Sequence, residues 1–516
     1  MSQKKYFTTP IYYVNDVPHI GHAYCTIVTD VLARYYRLLG YDVIFSTGTD
    51  EHGQKIQKTA EANGETPIEL ANRVVKRFED LWTLLNISND VFIRTTEKRH
   101  AHVVQELFYK IYQKNDIYLG EYEGWYCRPC ETYLTETQLK EGKCPECNRP
   151  VEKLKEDSFF FRMSKYQDQL LAYIENNPHF VFPATRRNEV LNFIKDGLKD
   201  ISISRTTMSW GIPVPEIPGL NLTKKHYIYV WFDALINYLT ALGFEQDNSK
   251  VEEYWPEAVH ILGKDIIKFH AVIWPTILLA ADLQPPKQVI AHGFINLAGE
   301  KMSKSKGNVI DPYAVVNEYG VDPFRYFLMK EISFGLDGLF SFEALQQRYN
   351  SELANELGNL LNRTLSMVKK YFDASTPPFL EESLSKEGKE LQSLAQELRF
   401  VVEAALTDYD FGLILEEIWK VIRRANKYIE EAAPWTLAKE GKTEKLGTVM
   451  YTLLETIRII ALYTAPFMPA SSQKIWDQLE IKKDITKVTI SEESNWGQIN
   501  TGHQVGNALP IFPRRE

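Results

Sequence analysis

Residues 5–24 read KYFTTPIYYVNDVPHIGHAY. Lys5 to Val14 is rich in Tyr, Ile, Thr and Val and predicts a strand. A loop follows that carries Pro18-His19-Ile20-Gly21-His22. From Ala23 to Leu39 apolar residues recur at helical spacing, and Gly40 closes the helix as a C-cap. Val43 to Thr47 reads as a second strand that runs out into Thr49-Asp50-Glu51-His52-Gly53. Thr66-Pro67-Ile68-Glu69 has the pattern of a capping box with proline at N1, opening an amphipathic helix through Leu85. Strand, helix, strand, helix predicts a parallel, doubly wound sheet. Ligands of such sheets bind at the carboxyl ends of the strands. His19, His22 and Asp50 fall there.

The style changes from about Ile117, where paired cysteines, many charges and short apolar runs appear. The strand pattern returns at Tyr227 to Trp231 and continues in Val259–Leu262 and Val289–His292, with a helix over Ile266–Ala281. One Rossmann-like α/β sheet interrupted by an insert accounts for this order. Strands nearly vanish beyond Phe340. Leu345–Tyr371, Leu391–Leu406, Phe411–Ala432 and Leu446–Tyr463 repeat apolar residues every three to four positions, which predicts an α-helical bundle. The expected divisions are 1–117 for the first half of the catalytic domain and 118–225 for the insert. The second half follows at 226–320, then a linker at 321–352 and the bundle at 353–516.

Several domains are expected of 516 residues. Apolar content of 44% and charged content of 25% are those of ordinary globular proteins. The opening lacks the basic and apolar regions of an export signal, and the longest apolar run, Ala271–Ala281, is too short to cross a bilayer. The cytoplasm is the expected compartment. A net charge of −9 argues against a nucleic-acid partner on the global rule. An RNA read through shape and stacking on one local face escapes that rule.

The helix that His19 and His22 introduce offers N–H groups and a positive dipole end to an anion, and Gly21 permits close backbone approach. Imidazole donors there suit a transferring phosphoryl group. Two loop histidines at a helix start are an equally good account of that motif alone. Lys301-Met302-Ser303-Lys304-Ser305 follows the strand-like His292-Gly293-Phe294-Ile295 and precedes the turn signal Gly307-Asn308. Two lysines on such a loop suit electrostatic stabilisation of a triphosphate with no covalent step by the enzyme. Alone, a Lys/Ser cluster reads as a solvated loop. Both strings in this order and spacing make coincidence improbable. Cys127-x-x-Cys130 and Cys144-x-x-Cys147 form paired knuckles suited to one closed, structural zinc site. Cys25 reads as a helix-face core residue. Tyr13, Trp231, Tyr238, Trp274 and His270 taken alone read as core first and pocket second.

The two strings are the HIGH and KMSKS signatures of class I aminoacyl-tRNA synthetases. Together with GTDEHGQKI, YVWFDALINY, GKDIIKFH, HGFINLAGEKMSKSKGNVIDP, ELGNLLNR and AAPWTLAK they make the whole chain resemble the methionyl-tRNA synthetases. The four-cysteine knuckle matches the one-zinc members. The resemblance implies a methionine pocket of Ile11, Tyr13, Trp231, Ala234, Leu235, Tyr238, Ile266, His270 and Trp274, with Asp50 holding the substrate ammonium. It implies His19, His22, Lys301 and Lys304 as catalytic groups. ATP would be held by His19, Gly21, His22, Gly263, Asp265, His292, Gly293 and Lys304, with Mg2+ accompanying it. Asn359, Arg363 and Trp435 would contact the anticodon of tRNA(Met), initiator and elongator alike, Trp435 by stacking. The linker 321–352 would meet the tRNA stem. The implied reaction forms a methionyl-adenylate from methionine and ATP and passes the methionyl group to tRNA. Glu51 stands where some relatives carry a small residue. The chain ends soon after Pro510-Ile511-Phe512-Pro513, where longer relatives continue into a dimerising module, so a monomer is expected. Some proofreading of homocysteine is expected as well, because discrimination of one methylene yields only about 1–3 kcal/mol.

Other readings differ in named features. The class I enzymes for leucine, isoleucine and valine carry a far larger editing insertion than the interval between Ile117 and Tyr227 allows. The cysteine enzyme places zinc at its substrate site rather than in the insert. A synthetase-like enzyme that makes an adenylate without tRNA would lack the Asn359, Arg363 and Trp435 strings. A catalytically dead RNA-binding scaffold would not retain the histidines and lysines of both signatures.

Overall fold

The structure is a computed structural model that describes residues 3–515 apart from 16, 129–131, 135, 146 and 298–309. Lys301, Lys304 and Cys130 lie outside the described residues. A seven-stranded sheet forms the centre. Across it run Tyr12–Tyr13, Asp42–Asp50, Lys4–Thr8, Ala258–Gly263, Gln288–His292 and Val181–Phe182, and Val91–Arg94 also pairs with Asp42–Asp50. Every pairing is parallel. Alternate residues serve opposite faces, as a doubly covered sheet requires. Phe7, Val259, Ile261 and Ile290 enter one core, and Tyr6, Ala258, Leu262, Val289 and Ala291 enter the other.

The expected strand Lys5–Val14 is two strands, Lys4–Thr8 and Tyr12–Tyr13. Pro10, which cannot donate to a ladder, lies in the break. The first helix begins earlier than its apolar spacing indicates. It runs Ile20–Leu38 with His19 as N-cap, so His22 stands in the first turn and not in the preceding loop. A histidine cap has no strong sequence signal, which explains the late start. The capping box at Thr66 and Glu69 is present and opens Pro67–Leu84. Only Tyr227–Ile228 of the expected strand at Tyr227–Trp231 pairs as a strand. Trp231 instead lies on the short helix Val230–Leu235. The expected helix Ile266–Ala281 contains a π-helical stretch, Phe269–Ile273, before regular Trp274–Ala280. Such wide turns re-aim side chains and recur at functional sites.

Between the sheet halves, Ile117–Cys127 pairs antiparallel with Thr132–Leu134 and with Glu152–Phe161. From the same interval Val181–Phe182 joins the central sheet beside Gln288–His292. The bundle contains Lys386–Thr407, Phe411–Ala432 and Thr443–Thr464. Thr443–Thr464 is long and apolar enough to cross a membrane, but it is wholly buried within the protein. The bundle shares one continuous core with the sheet face that carries Phe7 and Ile261.

Candidate active site

The carboxyl ends of the central strands gather the expected site. His19 Nδ1 accepts from Gly21 N–H at 3.1 Å, and His22 Nδ1 accepts from His19 N–H at 3.2 Å. The helix start thus fixes both rings, which stack with centroids 3.8 Å apart. An Nδ1 that accepts a backbone N–H carries no proton, so each neutral imidazole keeps its proton on Nε2. A side chain at Gly21 would bring its Cβ to 3.0 Å from the His19 ring.

Asp50 ends the Asp42–Asp50 strand, buried, opposite Tyr13 in the ladder. Tyr13, Trp231 and Ile266 pack, partly buried, against one core cluster that contains Leu235, Tyr238 and Trp274. Ala234 is buried on the Trp231 helix, and Ile11 is half-buried on the loop after Pro10. Trp231 stacks on Phe269 at 3.7 Å. The histidines behind this wall are uncharged. Tyr238 O–H donates to His270 Nε2 at 2.7 Å, while His270 Nδ1–H donates to the Ile266 carbonyl at 3.0 Å. Burial pushes His270 down to about 4. Trp274 Nε1–H donates to His260 Nε2 at 3.2 Å, so His260 Nδ1–H donates to Thr8 Oγ1 at 2.8 Å. Burial lowers His260 well below the ordinary imidazole range. His260 and His270 are therefore neutral behind a largely aromatic wall, and with Asp50 opposite Tyr13 the arrangement suits an uncharged side chain with an ammonium beside it.

Gly263, Asp265, His292 and Gly293 stand together at the ends of the next two strands. A Cβ on Gly263 would meet Asp265 Oδ1 at 2.6 Å, and one on Gly293 would meet the Leu336 carbonyl at 2.2 Å. His292 Nδ1–H donates to the Gly293 carbonyl at 2.8 Å, and burial pushes His292 down to about 4. Lys264 Nζ reaches both Asp337 oxygens at 2.6 and 2.8 Å, and Phe294 N–H donates to Asp337 at 2.8 Å. These contacts tie both loops to the segment after the second catalytic half.

Glu51 was not among the expected site residues. It is fully buried, and Arg94 grips it with Nε at 2.7 Å and Nη2 at 2.9 Å. Thr49 Oγ1 adds a hydrogen bond at 2.6 Å. Trp210 Nε1–H donates to the Glu51 carbonyl at 2.6 Å. Glu51 thus braces the turn that presents Asp50. Its partner Arg94 begins the next crossover, and nothing local in the sequence joins them.

The Sγ atoms of Cys127, Cys144 and Cys147 lie within 4.8 Å of one another, and those of Cys127 and Cys147 are 3.4 Å apart. Thiolates on a tetrahedral zinc stand about 3.8 Å apart. The cluster therefore fits a metal ion. Cys25 is buried and donates to the Ile261 carbonyl at 3.5 Å, as a core residue does.

A cleft of about 320 Å³ opens in the bundle, lined by Asn359, Arg363, Arg423, Asn426, Lys427 and Glu430 among others. Arg363 pairs with Glu430 at 2.6 Å. Trp435 follows a left-handed turn at Ala433 and is 44% exposed. Of the residues the resemblance implies, Asn359 and Arg363 line this cleft; Arg423, Asn426 and Lys427 beside them carry no sequence signal beyond that of a solvated helix face.

The family profile "tRNA synthetases class I (M)" matches residues 5–154 and 149–365, and "Anticodon binding domain of methionyl tRNA ligase" matches 383–514. The methionine–tRNA ligase of Caldanaerobacter subterraneus subsp. tengcongensis is 51% identical over 100% of this chain and 79% of its own length. That of Bacillus subtilis is 48% identical over 99% of this chain and 78% of its own. Mycobacterium tuberculosis methionyl-tRNA synthetase in complex with methionyl-adenylate superposes with a TM-score of 0.93 at 42% identity, covering 99% of this chain and 100% of that one. The apo form of that enzyme gives 0.87 at 39% identity, covering 100% and 99%. The chain belongs to the methionine–tRNA ligases, class I synthetases that use ATP to charge tRNA with methionine through methionyl-adenylate.

Proposed function

We propose that the activity is carried by the residues gathered at the sheet's carboxyl edge. Asp50 holds the methionine ammonium. Ile11, Tyr13, Trp231, Ala234, Leu235, Tyr238, Ile266, His270 and Trp274 enclose the thioether, which aromatic neighbours favour. Gly21, Gly263, Asp265, His292 and Gly293 receive the nucleotide. A methionine carboxylate oxygen attacks the α-phosphorus, the bond to the β-phosphate breaks, and pyrophosphate leaves. The Nε2–H groups of His19 and His22, with Lys301 and Lys304, stabilise the charge that develops on the phosphates. The tRNA terminal 2′-hydroxyl then attacks the anhydride carbonyl, and AMP leaves. Mg2+ would accompany ATP and supply neutralisation of the phosphate charge.

The observation that carries this reading is the pair of backbone-fixed imidazoles at the helix start, on the same sheet edge as Asp50. The metal of the insert is proposed to be a structural zinc held by Cys127, Cys130, Cys144 and Cys147. Reducing cytoplasm, the proposed compartment, keeps such thiols available. Asn359, Arg363 and Trp435 are proposed to read the anticodon, helped by Arg423 and Lys427. The domain limits at 117, 225, 320 and 352 are proposed with these roles.

The test is amino-acid-dependent ATP–pyrophosphate exchange without tRNA, followed by tRNA charging. Exchange is expected with methionine and not with leucine, isoleucine, valine or cysteine. Trp435→Ala is expected to reduce charging by about tenfold, the worth of one stacked base, and to spare exchange. Exchange with another amino acid would void the pocket, and equal loss of both activities would remove the anticodon role.

A further inference from the structure

His52, Asp233 and His100 form a buried polar unit that the chemistry above does not use. Asp233 is fully buried on the Val230–Leu235 helix. Its Oδ2 accepts from His52 Nδ1–H at 2.7 Å, and its Oδ1 accepts from His100 Nε2–H at 2.7 Å. Burial alone would raise this carboxyl, but the two imidazoles hold it below the ordinary carboxylate range. It is therefore an ionised carboxylate with an imidazole on each oxygen.

The three residues lie on different sides of the amino-acid pocket. His52 follows Asp50 and Glu51 on the loop from the first half of the sheet, and its carbonyl accepts from Tyr13 O–H at 3.0 Å. Asp233 sits between Trp231 and the pair Ala234 and Leu235 on the second half. His100 stands on the Lys98–Gln113 helix and meets Thr240 Oγ1 at 3.0 Å, in the turn that carries Tyr238. Asp233 thus fastens the Tyr13 and Asp50 wall to the Trp231 and Tyr238 wall.

Apolar residues of equal volume would hold these elements together without the cost of burying an ion. What the ionic unit adds is one fixed distance and orientation, since each hydrogen bond is directional. We propose that Asp233 is a positioning residue for methionine recognition, with His52 as the clamp that sets the spacing of the two pocket walls and His100 fixing the Asp233 carboxylate to the Lys98–Gln113 helix. The proposal rests on the pocket assignment made above.

Calorimetric titration of the full chain with methionine tests it, alongside the KM for ATP in pyrophosphate exchange. His52→Ala removes one clamp. It is expected to weaken methionine binding by about tenfold, as loss of a hydrogen bond to a charged group does, with the ATP KM unchanged. His52→Asn places a side-chain N–H at the same bond count from the backbone as Nδ1, and is expected to restore most of that loss. His100→Gln imitates Nε2 in the same way against His100→Ala. The titration stoichiometry counts folded sites separately from their affinity. Methionine affinity unchanged in His52→Ala would overturn the proposal, as would a lowered stoichiometry at unchanged affinity. Equal weakening by His52→Asn and His52→Ala would also overturn it, because ring packing and not the hydrogen bond would then matter. Failure of the unaltered protein to bind methionine would strike the pocket assignment instead.

Discussion

His270, proposed for the pocket, shows how a single buried residue carries a cost in acid. Its Nδ1–H and Nε2 are both satisfied only while the ring is neutral, because protonation of Nε2 would turn it against the Tyr238 hydroxyl hydrogen. Burial pushes its pKa down to about 4, against about 6.5 in an unfolded chain. Between those values the unfolded state binds a proton that the folded state refuses. The stability this neutral ring contributes is complete above pH 6.5 and is lost as the pH falls toward 4. His292, also pushed down to about 4, acts in the same sense. Urea unfolding measured from pH 7 to 4.5 should therefore show stability falling with acid. In His270→Gln the slope near pH 5 should be shallower by about 1.4 kcal/mol per pH unit, the contribution of one proton. An unchanged slope would mean that the ring titrates normally in the folded protein.

Among the elements, the cysteine hairpin depends most on something other than its own packing. Among the described residues its satellite core holds Cys127, Leu134 and Cys144, with Trp125, Leu139, Cys147 and Val151 partly buried against it. Cores that small need a metal or a cross-link to hold. Purified protein should carry one zinc per chain by elemental analysis, and Cys147→Ser should lose most of it. Proteolysis should then cut within residues 127–150 before it cuts the sheet. Full zinc content in Cys147→Ser would remove Cys147 from the ligand set. The clustering of Cys127, Cys144 and Cys147 was legible in the sequence because ligand spacing is local, and so was the Thr66 and Glu69 capping box. The parallel, doubly wound sheet was legible because apolar strands alternate with amphipathic helices, but its strand order, with Val181–Phe182 of the insert at one edge, was not. The wide turn at Phe269–Ile273 was not legible, since it keeps an apolar helical composition while changing which side chains face the site. Trp231 was assigned to a strand because YVWF has strand composition, and packing overrode that preference. The Arg94 grip on Glu51 and the Asp233 unit join residues far apart in sequence, and no periodicity encodes such pairs.

At the scale of the whole molecule, the proposed anticodon role would need the bundle and the sheet to keep one relation, and a buried arginine stands where they meet. Arg325 is fully buried. Its guanidinium donates to Asp30 Oδ2 at 2.6 Å on the first helix of the sheet and to the Leu85 carbonyl at 3.1 Å. It also donates to the Phe467 carbonyl at 2.9 Å and the Pro466 carbonyl at 2.8 Å, in the turn after the bundle helix Thr443–Thr464. Nearby, Tyr35 O–H donates to the Tyr463 carbonyl at 2.7 Å. Lysine could not replace this fork, having one nitrogen where the guanidinium uses several. Burial would raise Asp30, yet Arg34 and Arg325 hold it down at about 2. Its contribution to stability is therefore present above pH 3.8 and lost as the pH falls through 2. Removing Arg325 leaves Asp30 with Arg34 and Ser88 only, so Arg325→Met should cost about 3–5 kcal/mol and bring the acid transition to higher pH. On the proposed roles, pyrophosphate exchange uses residues of the sheet, whereas charging also uses the bundle cleft proposed to read the anticodon. Charging by Arg325→Met should accordingly fall about tenfold further than exchange at a temperature where the variant is folded. Adding Asp30→Asn should recover part of the stability, because no uncompensated carboxylate is then buried, but should not recover charging. Equal loss of both activities would show that Arg325 holds up the sheet rather than the angle between the sheet and the bundle.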